Sequence, residues 1–346
     1  MLPIEFDQAP DAARAIAAFI AGEGGDFDAL ALRLFARQYA LCAPYRAACD
    51  SQGLTPDTLK SWQEIPAVAA RAFKAADLTC APASQAAVVF HSSGTTEGQP
   101  SRHFLDRTAL DLYRLSLRAG FWQVVPKALP ILALMPPPEQ APHSSLSFML
   151  GALGARRFFW GETEALERAL GEACVGGEPV CVFGTAFALL ELFDASPASR
   201  RLPAGSRVVE TGGFKGRTRQ VTRDELYRLI AERLGVARAH ALAEYGMSEM
   251  ASQFYSAPDG AGLRAPRWLR WRIIDPITDT DADEGLLRVY DLANWNSVAA
   301  IQTQDLVRRL PGGDFELLGR APLADLRGCS LTVEERWSER GRPGDS

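Results

Sequence analysis

The chain is poor in the residues that most directly announce a function. Lysine occurs only at Lys60, Lys74, Lys127 and Lys215, and histidine four times, so no lysine-rich patch offers itself to a phosphate backbone. Asp and Glu outnumber Lys and Arg by 42 to 37, and the net charge of -5 is the wrong sign for nucleic acid or an anionic membrane surface. The six cysteines (Cys42, Cys49, Cys80, Cys174, Cys181 and Cys329) include no CxxC pair, which argues against a zinc site or a disulfide framework and reads most of them as small buried apolar residues. No apolar run reaches the length of a membrane span. The start MLPIEFDQAP has neither a basic flank nor a following apolar core, so a cytoplasmic protein without an integral membrane segment is expected.

Apolar material is plentiful: 47% of the 346 residues are hydrophobic, enough for one large core, alone or with a small second domain. From Asp11 to Cys49 apolar residues recur at helical spacing, and TPDTLKSWQEIPAVAARAFKAADL predicts a further helix opening at Thr55 and Pro56. Residues 1–80 therefore read as a helical lead-in. Short apolar runs (AAVVF, ILALM, RRFFW, PVCVF, RVVET, AHALAEY) then alternate with amphipathic stretches such as TALDLYRLSLRAGFW and TRDELYRLIAERLG. That alternation predicts an α/β fold with a mostly parallel sheet, whose ligands bind at the carboxyl ends of the strands. Beyond Pro258, WLRWRIID, GLLRVYDL, AAIQT and DFELLG predict a small antiparallel sub-sheet, followed by a polar tail.

The first chemical signal is HSSGTTEGQPS, His91 to Ser101, directly after AAVVF. A turn rich in glycine and hydroxyls after a buried strand presents N–H and O–H donors where no bulky side chain blocks a ligand, which suits phosphate oxygens. A plain surface loop is the alternative on composition alone. No Gly-Lys-Ser/Thr follows, so it is not a Walker loop.

SSGTTEGQPS resembles the phosphate loop of the adenylate-forming enzymes, whose usual form is Ser-Gly-Thr-Thr-Gly-x-Pro-Lys. EYGMSE at Glu244 to Glu249 is similar to their Tyr-Gly-x-Thr-Glu, IQTQD ending in Asp305 to their Tyr-x-Thr-Gly-Asp, and LGR ending in Arg320 to their Gly-Arg hinge. More narrowly, EIPAVAARAFK, VETGGFKGR, EYGMSEMASQFY, DLAN, IQTQDL and GRAPLADLRGCSL resemble the acyl-protein synthetase family of the bacterial fatty-acid reductase complex, also called long-chain-fatty-acid luciferin-component ligases. The resemblance implies an adenylate-forming large domain over 1–318 and a short remnant of the C-terminal domain over 319–346.

It also implies roles. Ser92, Ser93, Gly94, Thr95, Thr96 and Gly98 would hold the β- and γ-phosphates of ATP, with Glu97 as an extra residue in the loop and Ser101 where Lys is common. Glu249 would ligate Mg²⁺, a hard cation that prefers oxygen donors, against the plainer alternative of a helix-start carboxylate. Ser248 would face the α-phosphate and Tyr245 the adenine, within the Glu244–Tyr245–Gly246 stretch. Gly212 and Gly213 of VETGG would let the ligand approach the backbone, with Lys215 beyond them solvated. Asp305 is suited to accept both ribose hydroxyls, and Arg320 to contact the ribose or act as hinge. Phe183, Gly184 and Phe187 fall where the family builds its acyl tunnel, or are plain core, and His143 would gate the carboxylate pocket or is simply exposed.

Cys329, in LRGCSL, stands where the family carries a cysteine proposed as its own acyl acceptor, with Arg327 and Arg320 nearby in sequence to favour the thiolate. A buried, inert thiol is the alternative. The chain has no Lys after Lys215, although full-length members bring a C-terminal Lys to the adenylation site. Three functions follow in order: an ATP-dependent acyl-protein synthetase that activates a carboxylic acid, expected to be a fatty acid, for a partner acyl-reductase; an acyl- or aryl-CoA ligase; and a non-catalytic partner-binding subunit on the same fold.

Overall fold

The computed structural model describes residues 6, 8–92, 99–196, 199–212, 221–257, 260 and 262–321. The chain divides into two compact units, one of Met1–Ser116, Ser248–Ser252 and Ala265–Ser346, the other of Leu117–Met247 and Gln253–Arg264.

The first unit opens with three helices, Asp11–Ile20, Phe27–Leu41 and Ala43–Asp50. Asp26 caps the second by accepting from the Ala29 amide at 2.9 Å, and its buried stripe of Leu30, Ala31, Leu34, Phe35 and Gln38 follows the expected 3.6-residue period. Of the helix predicted from Thr55, only the four residues Ala72–Ala75 near its far end are α-helical. Thr58 closes a hydroxyl-bonded turn with Thr55, Ser61 caps a single 3-10 turn at Trp62–Glu64, and Val68–Ala69 is a short strand parallel to Ala300–Arg309. Pro66 has no N–H for a helix, and the Ala70 amide donates to the Gln302 carbonyl, so sheet pairing outweighs local helix propensity.

The sub-sheet of this unit joins Leu269–Ile274, Glu284–Asp291, Ala300–Arg309 and Phe315–Arg320 in antiparallel order, as the sequence predicts. A hairpin of Val88–His91 with Arg102–Leu105, in register Val88 to Leu105 and His91 to Arg102, carries the hydroxyl-rich loop between its strands. The second of these strands was not apparent from the apolar pattern, because Arg102 and His103 interrupt it.

In the second unit, five parallel strands run in the order Arg157–Phe158, Ile131–Leu134, Cys181–Thr185, Arg207–Thr211 and Ala241–Tyr245. Phe254–Ser256 and Leu263–Arg264 continue the sheet antiparallel. The parallel strands are apolar runs buried by helices such as Ala186–Ala195 and Arg223–Leu234, whose Leu189, Leu226 and Ile230 pack with Val182 and Val208. Thr185 and Thr222 cap those helices through hydroxyls that accept from Ala188 and Glu225 amides. Strand order reverses beside Ile131–Leu134, since the chain passes to Arg157–Phe158 on one side and then to Cys181–Thr185 on the other. Among the described residues no helix is long and apolar enough to cross a membrane.

Candidate active site

In the first unit, the two feet of the hydroxyl-rich loop are gripped by two consecutive residues. Ser248 Oγ donates to the His91 carbonyl at 3.2 Å, before the loop, and Ser101 Oγ donates to Glu249 Oε1 at 2.6 Å, after it. Ser92 and Ser101 also close on each other across the hairpin, through Ser101 N to Ser92 Oγ at 3.0 Å and Ser92 N to the Ser101 carbonyl at 3.2 Å. Ser101 is 1% exposed and Glu249 7%, so the carboxylate is withdrawn from bulk water and ordered by a hydroxyl donor. Ser101 occupies the place where the resembling loops commonly carry Lys. Its hydroxyl turns that departure into a direct contact with Glu249.

Behind Glu249 lies a buried polar network. His103, two residues after Ser101 and on the same face of its strand, has Nδ1 2.8 Å from the Ser248 carbonyl oxygen and Nε2 2.9 Å from Asn294 Oδ1. Asn294 Nδ2 donates to the carbonyls of Glu249 and Val298, both at 2.9 Å. Asp291, three residues earlier in DLAN, accepts from the amides of Ala251 and Ala293 and from Ser252 Oγ at 2.6 Å. Ser252 Oγ in turn meets Ser116 and the Trp268 indole N–H. Burial pushes Asp291 up to about 6 against the hydrogen-bond donors of Ser252, Ala251 and Ala293 that favour its charge, and burial pulls His103 down to about 4. Elsewhere in this unit Asp305 and Arg320 face each other on neighbouring strands, with Arg320 Nε 3.8 Å from Asp305 Oδ1.

In the second unit, parallel strands bring their carboxyl ends to one edge of the sheet. Thr211 and Glu244 are register partners there, and the Thr211 hydroxyl donates to Glu244 Oε2. Burial holds Glu244 at about 7, with neighbouring Glu210 adding to the rise. Gly212 turns away from the strand at a φ of +70°, a left-handed conformation that favours glycine. At Gly246 a Cβ would lie 2.9 Å from Glu244 Oε1, so only glycine keeps that carboxyl where it is. Tyr245 is buried against Phe254, its hydroxyl 3.6 Å from Met247 Sδ.

The residues read as an acyl pocket lie in the same unit. Gly184 is the penultimate residue of Cys181–Thr185, Phe187 is the second residue of the following helix, and exposed His143 sits in the loop after Ile131–Leu134, so all three flank the point where strand order reverses. Phe183 is fully buried beside Phe121, with ring centroids 6.2 Å apart. Ser93, Gly94, Thr95, Thr96, Glu97, Gly98, Gly213, Lys215, Arg327 and Cys329 lie outside the described residues. Cys42, Cys49 and Cys181 are buried, and burial pushes Cys49, Cys80 and Cys181 up to about 12, which makes them poor nucleophiles.

Sequence reasoning did not assign His103, Asp291 or Asn294. DLAN was visible as a motif, but its task, holding the segment 248–252, appears only once the two segments meet. Among the described residues no group of three or more His, Cys, Asp or Glu could hold a metal. A lone buried carboxylate fits Mg²⁺ that arrives coordinated by phosphate oxygens, since this ion is commonly held by one or two carboxylates plus substrate phosphates.

No family model and no curated protein matches the sequence. Solved structures do. The chain is similar to 2-hydroxyisobutyryl-CoA ligase in an open conformation with 2-HIB-AMP and CoA, at TM-score 0.64 and 16% identity over 85% of this chain and 69% of that one. The same ligase in its thioesterification state gives TM-score 0.61 at 17% identity, over 90% and 68%. ATP-bound MatB from Rhodopseudomonas palustris gives TM-score 0.51 at 18% identity, over 80% of this chain and 56% of that chain. What is shared at such identities is the fold, and it is the fold of these ligases.

Proposed function

We propose that the protein activates a carboxylic acid with ATP and passes the acyl group to a thiol. The observation that carries this reading is the grip of Ser248 and Glu249 on both feet of the hydroxyl-rich loop, on a fold shared with ligases whose structures hold ATP or an acyl-AMP. In the first step a carboxylate oxygen attacks the α-phosphorus of ATP, forming acyl-AMP and releasing pyrophosphate. In the second a thiolate sulfur attacks the acyl carbon, the carbon–oxygen bond to AMP breaks, and a thioester and AMP result.

The loop hydroxyls and amides of Ser92, Ser93, Gly94, Thr95, Thr96 and Gly98 would bind the phosphates. Ser248 would orient the α-phosphate, Tyr245 with Gly212 and Gly213 would flank adenine, and Asp305 would accept the ribose hydroxyls, with Arg320 beside it. Mg²⁺ held by Glu249 neutralises phosphate charge when bound. Gly184, Phe187 and His143 would line the acid's site. The finer reading, an acyl-protein synthetase that loads Cys329 for a partner reductase, rests on the sequence resemblance. A second reading, release of the thioester on coenzyme A, is favoured by the CoA held in the structure of the similar ligase.

Intact-protein mass spectrometry after incubation with ATP, Mg²⁺ and acids from acetate to palmitate plus benzoate tests these together. An ATP-dependent gain of one acyl mass, removed by hydroxylamine and mapped to Cys329, supports the acyl-protein synthetase. AMP release only with coenzyme A supports the CoA ligase. Absence of both acylation and AMP, with no ATP–pyrophosphate exchange for any acid, sinks the enzyme reading.

A further inference from the structure

We infer that His103, together with Asn294, is a positioning residue for Glu249: it fixes the main chain of Ser248–Glu249 and thereby sets where the Glu249 carboxylate meets the metal-bound phosphates. This rests on the functional reading of Glu249 above, and it adds residues that the sequence resemblance did not assign.

Three observations carry it. His103 is 2% exposed and packs edge-on against Phe73 at 6.2 Å between ring centroids. Both its nitrogens face oxygen acceptors, the Ser248 carbonyl and Asn294 Oδ1. The orientation of the Asn294 amide is set independently, because its nitrogen donates to two carbonyls, one of them that of Glu249. A ring with its proton on Nδ1 donates to Ser248 directly. With the proton on Nε2 it donates to Asn294, which holds the Glu249 carbonyl. Either tautomer therefore ends on the backbone of the same two residues. Ser101, on the same strand face as His103, holds the Glu249 side chain, so one strand secures both the backbone and the carboxylate. Groups that orient a metal-binding carboxylate typically affect affinity or activity by about 10–100-fold.

The test uses the full chain with His103→Phe, His103→Asn and Asn294→Ala, each alone and in a Glu249→Gln background. Two quantities are read: the Mg²⁺ dependence of ATP–pyrophosphate exchange, and amide hydrogen exchange over 248–252 without nucleotide. His103→Phe keeps an aromatic ring, somewhat larger than imidazole, and loses the donor. It should raise the Mg²⁺ half-saturation by about 10–100-fold, speed amide exchange in 248–252, and add nothing once Glu249 is Gln. His103→Asn, whose amide nitrogen takes the place of Nδ1, should recover much of the loss. If His103→Phe proves poorly folded, Asn294→Ala breaks the same support from the other side and should show the same pattern. Equal losses with and without the Glu249 carboxylate, or unchanged amide exchange, overturn the inference. A wild-type protein without exchange for any acid overturns the functional reading instead; amide exchange alone then decides whether His103 holds the segment.

Discussion

Glu244 and Glu249 stand five positions apart and are almost equally buried, at 6% and 7% exposure, yet their surroundings prepare them differently. Glu244 ends a parallel strand in the second unit, takes a hydrogen bond from Thr211, and is driven by burial to about 7, where its proton is shared near neutral pH. Glu249 sits in a turn of the first unit whose main chain is held by Asn294, whose neighbour Ser248 faces His103, and whose carboxylate takes the Ser101 hydroxyl. Burial alone therefore does not tell the two carboxylates apart. What separates them is the density of fixed donors and the hydroxyl-rich loop attached to one of them.

The sharpest way to break this contrast is Glu249→Gln. The amide oxygen still accepts from Ser101, so the fold should survive. ATP–pyrophosphate exchange should fall on the order of 100–1000-fold, the loss expected when a placed charge-stabilising group is removed. A fall of less than fivefold would place the phosphate chemistry elsewhere. Next in size is Asp291→Ala, which strands the Ala251 and Ala293 amides and the Ser252 hydroxyl. A loss on the order of 2–3 kcal/mol in denaturant unfolding is expected.

Glu244→Gln sharpens the other side of the contrast. A carboxyl whose folded value is raised from 4.5 to about 7 stabilises the fold fully below the unfolded value, and that contribution is lost as pH rises through the folded one. Wild type should therefore lose this stability between about pH 4.5 and about pH 7, and the Gln variant should lack that slope in melting temperature. The smallest effect belongs to Thr211→Val. It should cost about 1 kcal/mol and shift the Glu244 titration further upward, read by the pH dependence of the melting temperature.

Much of the architecture was legible in sequence because strand and helix periods are local. ILALM, PVCVF, RVVET and AHALAEY became parallel strands, and the Arg223–Leu234 helix starts after the hydroxyl cap at Thr222. The stretch from Thr55 misled, because Val68–Ala69 is recruited by a strand more than two hundred positions later. Of the candidate site, Glu249, Ser248 and Asp305 could be named from ordered motifs. His103 could not, since a single histidine carries no period and its partners Ser248 and Asn294 are 145 and 191 positions away.

The sequence by itself determined the α/β alternation, the antiparallel sub-sheet and the placing of a hydroxyl-rich loop after a strand, one that the structure leaves mostly half-buried, all consequences of side-chain period and turn chemistry that act over a few residues. Tertiary structure alone decided that Ser101 would meet Glu249, that DLAN would support the segment 248–252, and that Glu244 would sit near neutrality while Glu249 is clamped. Those outcomes depend on which distant donors arrive beside each buried carboxylate, and burial acts on a charge only through the groups that fold around it.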